Sequence, residues 1–189
     1  PLRLLHEASV VIACDGAVEA LDKAGITPAA IVGDLDSIPS RFREHYADRI
    51  HIVEDQEIND LTKSIRFAYR TGQQEVLILG ATGLREDHTL GNISLLMDYA
   101  PLFHRVEILS DYGIFTPVRQ TTTLASKPGT QVSLFSLAPF GTISTTGLRW
   151  PIRNRQLTKW WQGTLNEATG NDFTITLSPD AHIIVYRTL

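Results

Sequence analysis

The sequence predicts an α/β N-terminal domain with a mainly parallel sheet, followed by an all-β C-terminal domain of sandwich or jelly-roll type. Up to about residue 113, short apolar runs alternate with amphipathic stretches, the strand–helix–strand pattern of a parallel sheet. Beyond it, Thr, Ser and Gly separate short runs of alternating polarity, as half-buried antiparallel strands require. The 189 residues, 43% of them hydrophobic, suffice for one good core or two small ones. The domains are accordingly expected at residues 1–113 and 114–189.

The elements follow in order. Val10, Val11, Ile12, Ala13 and Cys14 read as a first strand, residues 17–24 as a helix ended by Gly25, and Ala30, Ile31 and Val32 as the next strand. A helix is expected over 39–46, with Ser37 or Ile38 near its start and Pro39 where a missing N–H is tolerated. Residues 50–53 read as a strand. From Asp60, the spacing of Leu61, Ile65 and Ala68 predicts a helix with Asn59 as its N-cap and Gly72 as its stop. A strand over 76–79, a helix over 89–99 and a strand over 105–109 complete the first half. In the second, strands are expected over 131–137, 142–146, 172–177 and 182–187, separated by turns at Lys127-Pro128-Gly129, Pro139-Phe140-Gly141 and Ser178-Pro179-Asp180.

Charge excludes some functions. A net charge of −4 without a Lys/Arg run provides no basic face for nucleic acid. No apolar stretch is long enough to span a membrane, and Cys14, the only cysteine, forms no internal disulfide. Cytoplasm is the expected compartment. The chain starts at Pro1 rather than Met, which leaves open a first strand ahead of it.

The most informative residues are acids. Asp34 and Asp36 follow the apolar run 30–32, and in extended backbone residues two apart point the same way. Asp60 joins them from a separate segment. Carboxylates about 5 Å apart repel by about 3 kcal/mol per pair at an effective dielectric near 20, unless a cation neutralises them. Oxygen ligands suit Mg²⁺, which takes one or two carboxylates and fills its other positions with water and phosphate oxygens. The bland alternatives are turn residues at Asp34 and Asp36 with Ser37 capping a helix, and a first-turn charge at Asp60. Asp15-Gly16, the Gly33–Ser37 run and Gly80-Ala81-Thr82-Gly83-Leu84-Arg85-Glu86-Asp87-His88 each follow a strand, so a shared carboxyl edge is expected, where parallel sheets bind ligands. Gly80 and Gly83 permit close backbone approach, and Arg85 can take a phosphate bidentately. Neither the P-loop nor the usual dinucleotide fingerprint is present.

Taken together, Asp15-Gly16-Ala17, Ile31-Val32-Gly33-Asp34-Leu35-Asp36-Ser37, Asn59-Asp60-Leu61-Thr62-Lys63 and the Gly80–His88 run with Asn92 resemble the thiamin pyrophosphokinase family. The resemblance continues in Ser144-Thr145-Thr146-Gly147-Leu148-Arg149-Trp150 and Leu165-Asn166-Glu167. It implies a nucleotide-binding α/β domain, a C-terminal β domain and a homodimer with its active site across the subunit interface. The implied reaction moves the terminal diphosphate of ATP, with Mg²⁺, to the hydroxyethyl group of thiamin, giving thiamin diphosphate and AMP. It implies Mg²⁺ on Asp34, Asp36 and Asp60, and ATP contacts from Asp34, Asn59, Lys63, Thr82, Arg85, Asp87, His88 and Asn92. Asp15 joins Asp36 and Asp60 as a catalytic residue, through a second metal or as acceptor of the thiamin proton. Ser144, Trp150 and Asn166 are implied on thiamin.

The bland readings remain beside these: Asp15 as a helix cap, Lys63 and Arg85 as surface cations, His88 as structural, and Trp150 as core. Trp160 and Trp161 read as packing residues. Leu84 replaces a usual glycine of the family and Leu165 a common serine. Two other functions stay open, a diphosphokinase for another alcohol such as a pterin and a non-catalytic thiamin or nucleotide sensor.

Overall fold

A computed structural model describes residues 2–137 and 140–189; Pro1 and Pro139, the latter in an expected turn, lie outside the described residues. The chain divides into two units, Pro1–Gln74 and Glu75–Leu189.

In the first unit, α1 (Leu2–Glu7) precedes β1 (Ile12–Cys14), a 3₁₀ turn at Asp15–Ala17, α2 (Val18–Lys23), β2 (Ala30–Gly33), α3 (Ser40–His45), β3 (Ile50–Ile52) and α4 (Asp60–Arg70). The strands form one parallel sheet in the order β1-β2-β3, with Ile12 opposite Ala30 and Val32 opposite His51. Parallel pairing needs crossovers, which α2 and α3 provide. All four residues of β2 are buried, which explains its unbroken apolar run: a central parallel strand is covered on both faces. Ala13, Val18, Leu21, Ile26, Ile31, Ile38, Phe42 and Tyr46 form the core. Beside it, α4 packs on β1 and β2 through a face that includes Ile65 and Ala68. Its start is fixed by Asn59, whose side chain accepts the Thr62 N–H at 2.9 Å.

The second unit begins with β4 (Glu75–Leu79), α5 (Glu86–Tyr99) and β5 (Arg105–Leu109), a parallel βαβ crossover. The strands β6 (Gly113–Val118), β7 (Thr122–Ala125), β8 (Gln131–Ser136), β9 (Ile143–Thr146), β10 (Asn166–Glu167), β11 (Asp172–Leu177) and β12 (Ile183–Thr188) follow. A six-stranded mixed sheet runs β10-β8-β12-β6-β5-β4, and a three-stranded antiparallel sheet runs β7-β11-β9. The change of character near residue 113 is thus a change of pairing inside one sheet, where β5 meets β6 antiparallel. Residues of both sheets, among them Val132, Leu134, Ile183, Ile143, Phe173 and Ile175, form one apolar cluster. Alternation places Phe173 and Ile175 in that cluster while Thr174 faces the Thr123 hydroxyl at 2.8 Å.

The helix expected from residue 89 begins three residues earlier. Its first turn, Glu86, Asp87 and His88, is polar and exposed, so apolar periodicity misses it. Acids there suit the positive end of the helix dipole.

Candidate active site

Gly33 ends β2, and the chain then turns instead of staying extended. Leu35 adopts φ +73°, a left-handed conformation that costs a non-glycine residue about 1–3 kcal/mol. Asp34 compensates in part, because its Oδ1 accepts the Asp36 N–H at 3.2 Å, an Asx-type turn. The extended presentation expected of Asp34 and Asp36 therefore gives way to a turn, with the Asp36 side chain exposed.

The first turn of α4 brings Asp60 and Lys63 to Asp34. The Lys63 ammonium donates to Asp60 Oδ1 at 3.0 Å and to Asp34 Oδ2 at 3.4 Å, and its side chain is only 2% exposed. Lys63 is thus no surface cation. Burial acts to lower its pKa, but the hydrogen bond and charge of Asp60, then those of Asp34, outweigh it and hold the ammonium above the ordinary lysine value. Asp34 Oδ2 also accepts from the Gln56 amide at 3.2 Å. The Asp36 N–H, Gln56 and Lys63 together hold the Asp34 carboxyl below the usual carboxylate range.

Asp15 is 3% exposed and sits at φ +30°. Its Oδ2 accepts the Ser37 N–H at 3.2 Å and the Ser37 hydroxyl. Ser37 does not cap α3, whose N-cap position is taken by Pro39 without a side-chain bond. Asp15 Oδ1 is buried without a hydrogen-bond partner among the described residues. A Cβ on Gly33 would lie 2.7 Å from the Asp15 Cβ, so only glycine fits there. The neighbouring Cys14 thiol is pushed up by burial, which suits packing rather than nucleophilic use.

Among the described residues no group of three or more His, Cys, Asp or Glu side chains stands ready to hold a metal. The donors present still fit Mg²⁺, which needs only one or two protein carboxylates. Asp36 offers exposed oxygens, and Asp34 and Asp60 already share a cation in Lys63.

In the second unit, the loop after β4 takes its shape from Gly80 at φ +71° and Gly83 at φ +94°. Leu84 is not among the left-handed residues and is 90% exposed, so a side chain there strains nothing. Asn92 on α5 donates to the Ala81 carbonyl at 3.0 Å and ties the loop to the helix. Arg85 grips Asp87 bidentately, at 3.1 Å and 2.5 Å. That pairing, then the His88 N–H, holds the Asp87 carboxyl low. His88 is exposed and Thr82 half-buried.

The last group lies on β9, β10 and the bend that follows β9. The ring of Trp150 is 55% exposed rather than core, with the Arg149 guanidinium 5.1 Å from its centroid. Asn166 is 7% exposed and clasps the Trp150 backbone, accepting its N–H at 3.1 Å and donating to its carbonyl at 2.7 Å. Ser144 Oγ accepts the Asn154 N–H at 2.9 Å. Trp160 and Trp161 are also exposed, though Trp160 meets Phe135 edge-on at 6.1 Å.

Sequence reasoning missed Gln56 and the Ser37–Asp15 contact. Twenty-two positions separate each partner from its acid, and only the parallel sheet closes that gap.

Comparison with known proteins gives concordant findings. The profile of the thiamin pyrophosphokinase catalytic domain matches residues 2–109, and that of the thiamin pyrophosphokinase substrate-binding domain matches residues 113–186. A thiamine pyrophosphokinase 1 of Oryza sativa subsp. japonica is 34% identical over 146 residues, 69% of this chain and 54% of the relative. The thiamine pyrophosphokinase of Bacillus subtilis is 39% identical over 85 residues, 43% of this chain and 39% of the relative. By sequence, the chain spans about half the length of the rice relative. A crystal structure of the Bacillus subtilis protein shares the fold with TM-score 0.85 at 21% identity, covering 100% of this chain and 92% of the other. One from Geobacillus thermodenitrificans gives 0.83 at 22%, covering 100% and 91%.

Proposed function

The chain belongs to the thiamin pyrophosphokinase family, and from that premise we propose that it transfers the diphosphate of ATP to the hydroxyethyl oxygen of thiamin and releases AMP. The observation that carries this reading is the carboxylate–ammonium cluster of Asp34, Asp60 and Lys63 beside the turn that presents Asp36. We assign nucleotide and metal handling to residues 1–113, an α/β region built on parallel strands, and thiamin binding to the sandwich-like residues 114–189. The working form is a cytoplasmic homodimer.

In the reaction the thiamin hydroxyl oxygen bonds to the β-phosphorus, the bridge between the α- and β-phosphates breaks, and its oxygen leaves on AMP. Asp34, Asp36 and Asp60 would hold Mg²⁺, which when bound would neutralise the charge that develops as the bridge breaks. Lys63 takes a phosphate oxygen with the same ammonium that now rests on the carboxylates. Asp15, with a buried Oδ1 lacking a partner among the described residues, accepts the thiamin hydroxyl proton. A loose transition state asks little of that base, so positioning dominates. Asn59 fixes the start of α4 and so the places of Asp60 and Lys63.

Thr82, Arg85, Asp87, His88 and Asn92 are assigned to ATP. Because Arg85 is already paired with Asp87, the pair acts as a unit in which Asp87 aims the guanidinium. Trp150 offers its side chain to the cationic thiamin ring, Asn166 fixes the Trp150 backbone, and Ser144, on β9, is assigned to thiamin with them.

Release of AMP from ATP and Mg²⁺ with and without thiamin tests the assignment. Thiamin-dependent AMP is expected from the wild type, with a loss of at least about a hundredfold in Asp36→Ala, the size of a lost metal contact. ADP or free phosphate as the product, or an unaffected Asp36→Ala, would refute it.

A further inference from the structure

Lys63 holds a position that a divalent cation also needs. Its ammonium lies 3.0 Å from Asp60 Oδ1 and 3.4 Å from Asp34 Oδ2, on a side chain 2% exposed. Asp34 is further committed, with Oδ1 on the Asp36 N–H and Oδ2 shared with Gln56. A divalent ion arriving alone would meet two carboxylates that already share one positive charge and would face the repulsion of a buried ammonium a few ångströms away.

The outcome changes when phosphate arrives with the metal. A lysine is a point charge on a flexible four-carbon stem with three rotatable donors, able to exchange a carboxylate oxygen for a phosphate oxygen without losing an anionic partner. We propose that Lys63 is a resident counter-ion that opposes binding of free divalent metal, so that the carboxylates accept the cation only when nucleotide phosphate draws the ammonium away. The inference rests on the metal reading of Asp34, Asp36 and Asp60 and adds to it a device that couples metal entry to nucleotide entry. It also accounts for a buried lysine between two acids: in the ligand-free chain it removes the repulsion that would otherwise drive them apart.

The test is the affinity for Mn²⁺, read by electron paramagnetic resonance and by the metal-induced shift in melting temperature, for wild type and Lys63→Met. It is run with Mn²⁺ alone and with Mn²⁺ plus α,β-methylene-ATP, whose bridge does not break. Wild type is expected to bind Mn²⁺ weakly alone and much more tightly with the analogue. Lys63→Met is expected to bind Mn²⁺ alone at least about tenfold more tightly than wild type, since a full opposing charge has gone. Lys63→Gln, which keeps a donor and near-native length, should behave likewise and covers the case in which the methionine variant fails to fold.

Equal or weaker binding of Mn²⁺ by the variants, while wild type still binds it with the analogue, overturns the counter-ion role and leaves the metal site standing. Tight binding of Mn²⁺ alone by wild type also overturns it. No Mn²⁺ binding to any form even with the analogue refutes the metal reading, and the counter-ion role with it.

Discussion

At the scale of single residues, the site is held by contacts that leave carboxylates aimed and partly satisfied. Ser37 gives both its N–H and its hydroxyl to one oxygen of the buried Asp15. Ser37→Ala removes the hydroxyl, and hydrogen bonds to buried charged groups carry about 1–3 kcal/mol. Urea unfolding is expected to show a loss of that size; an unchanged midpoint would mean that the backbone N–H alone holds Asp15. Asp34 offers a pH prediction. Its carboxyl lies below the ordinary aspartate value because of the Asp36 N–H, Gln56 and Lys63. A depressed folded value means the interaction stabilises the fold above the unfolded value of about 3.9 and is lost as pH falls through the lower folded value. Carbon-13 NMR of the Asp34 carboxyl should show a midpoint below the ordinary aspartate value, moving upward in Lys63→Met; a midpoint at the ordinary value would contradict these contacts.

At the scale of elements, α4 matters most to the proposed chemistry because two of its first four residues are Asp60 and Lys63. Asn59 fixes that turn by accepting the Thr62 N–H, and loss of such a cap costs about 1 kcal/mol. Asn59→Ala should lower stability by about that amount and raise KM for ATP more than it lowers kcat; a stability loss with unchanged KM would separate the cap from the site. This helix was legible in the sequence, since Leu61, Ile65 and Ala68 recur at helical spacing between a capping residue and Gly72. The strands of the parallel sheet were legible for a similar reason, as β2 is apolar throughout. Other features were hidden. The six residues of α1 are too few to display a period, and the polar first turn of α5 gives no apolar signal. The left-handed Leu35 contradicts the usual preference of leucine, so the extended reading of Asp34 and Asp36 was the natural one and the turn emerges only from three-dimensional structure. Asp34, Asp36 and Asp60 stand out in the sequence as candidates through their motif; the place of the Lys63 ammonium between Asp34 and Asp60 does not, because a lysine reads as a surface residue until its burial is known.

At the scale of the whole molecule, each unit has an apolar cluster, one including Ile31 and Phe42 and one including Phe173 and Ile183. All three tryptophans, Trp150, Trp160 and Trp161, belong to the second unit. Tryptophan fluorescence therefore reports its unfolding, and Phe173→Ala should reduce the stability so measured by about 3–5 kcal/mol. A smaller effect would mean that the two sheets of that unit close over the gap. The proposed function is transfer of two phosphoryl groups in one step to thiamin. Quenching a reaction of ATP, Mg²⁺ and thiamin and quantifying every product by chromatography and phosphorus-31 NMR tests it most directly. AMP and thiamin diphosphate are expected in equal amounts, with no thiamin monophosphate at early times; ADP with thiamin monophosphate, or ATP cleavage that ignores thiamin, would refute that transfer.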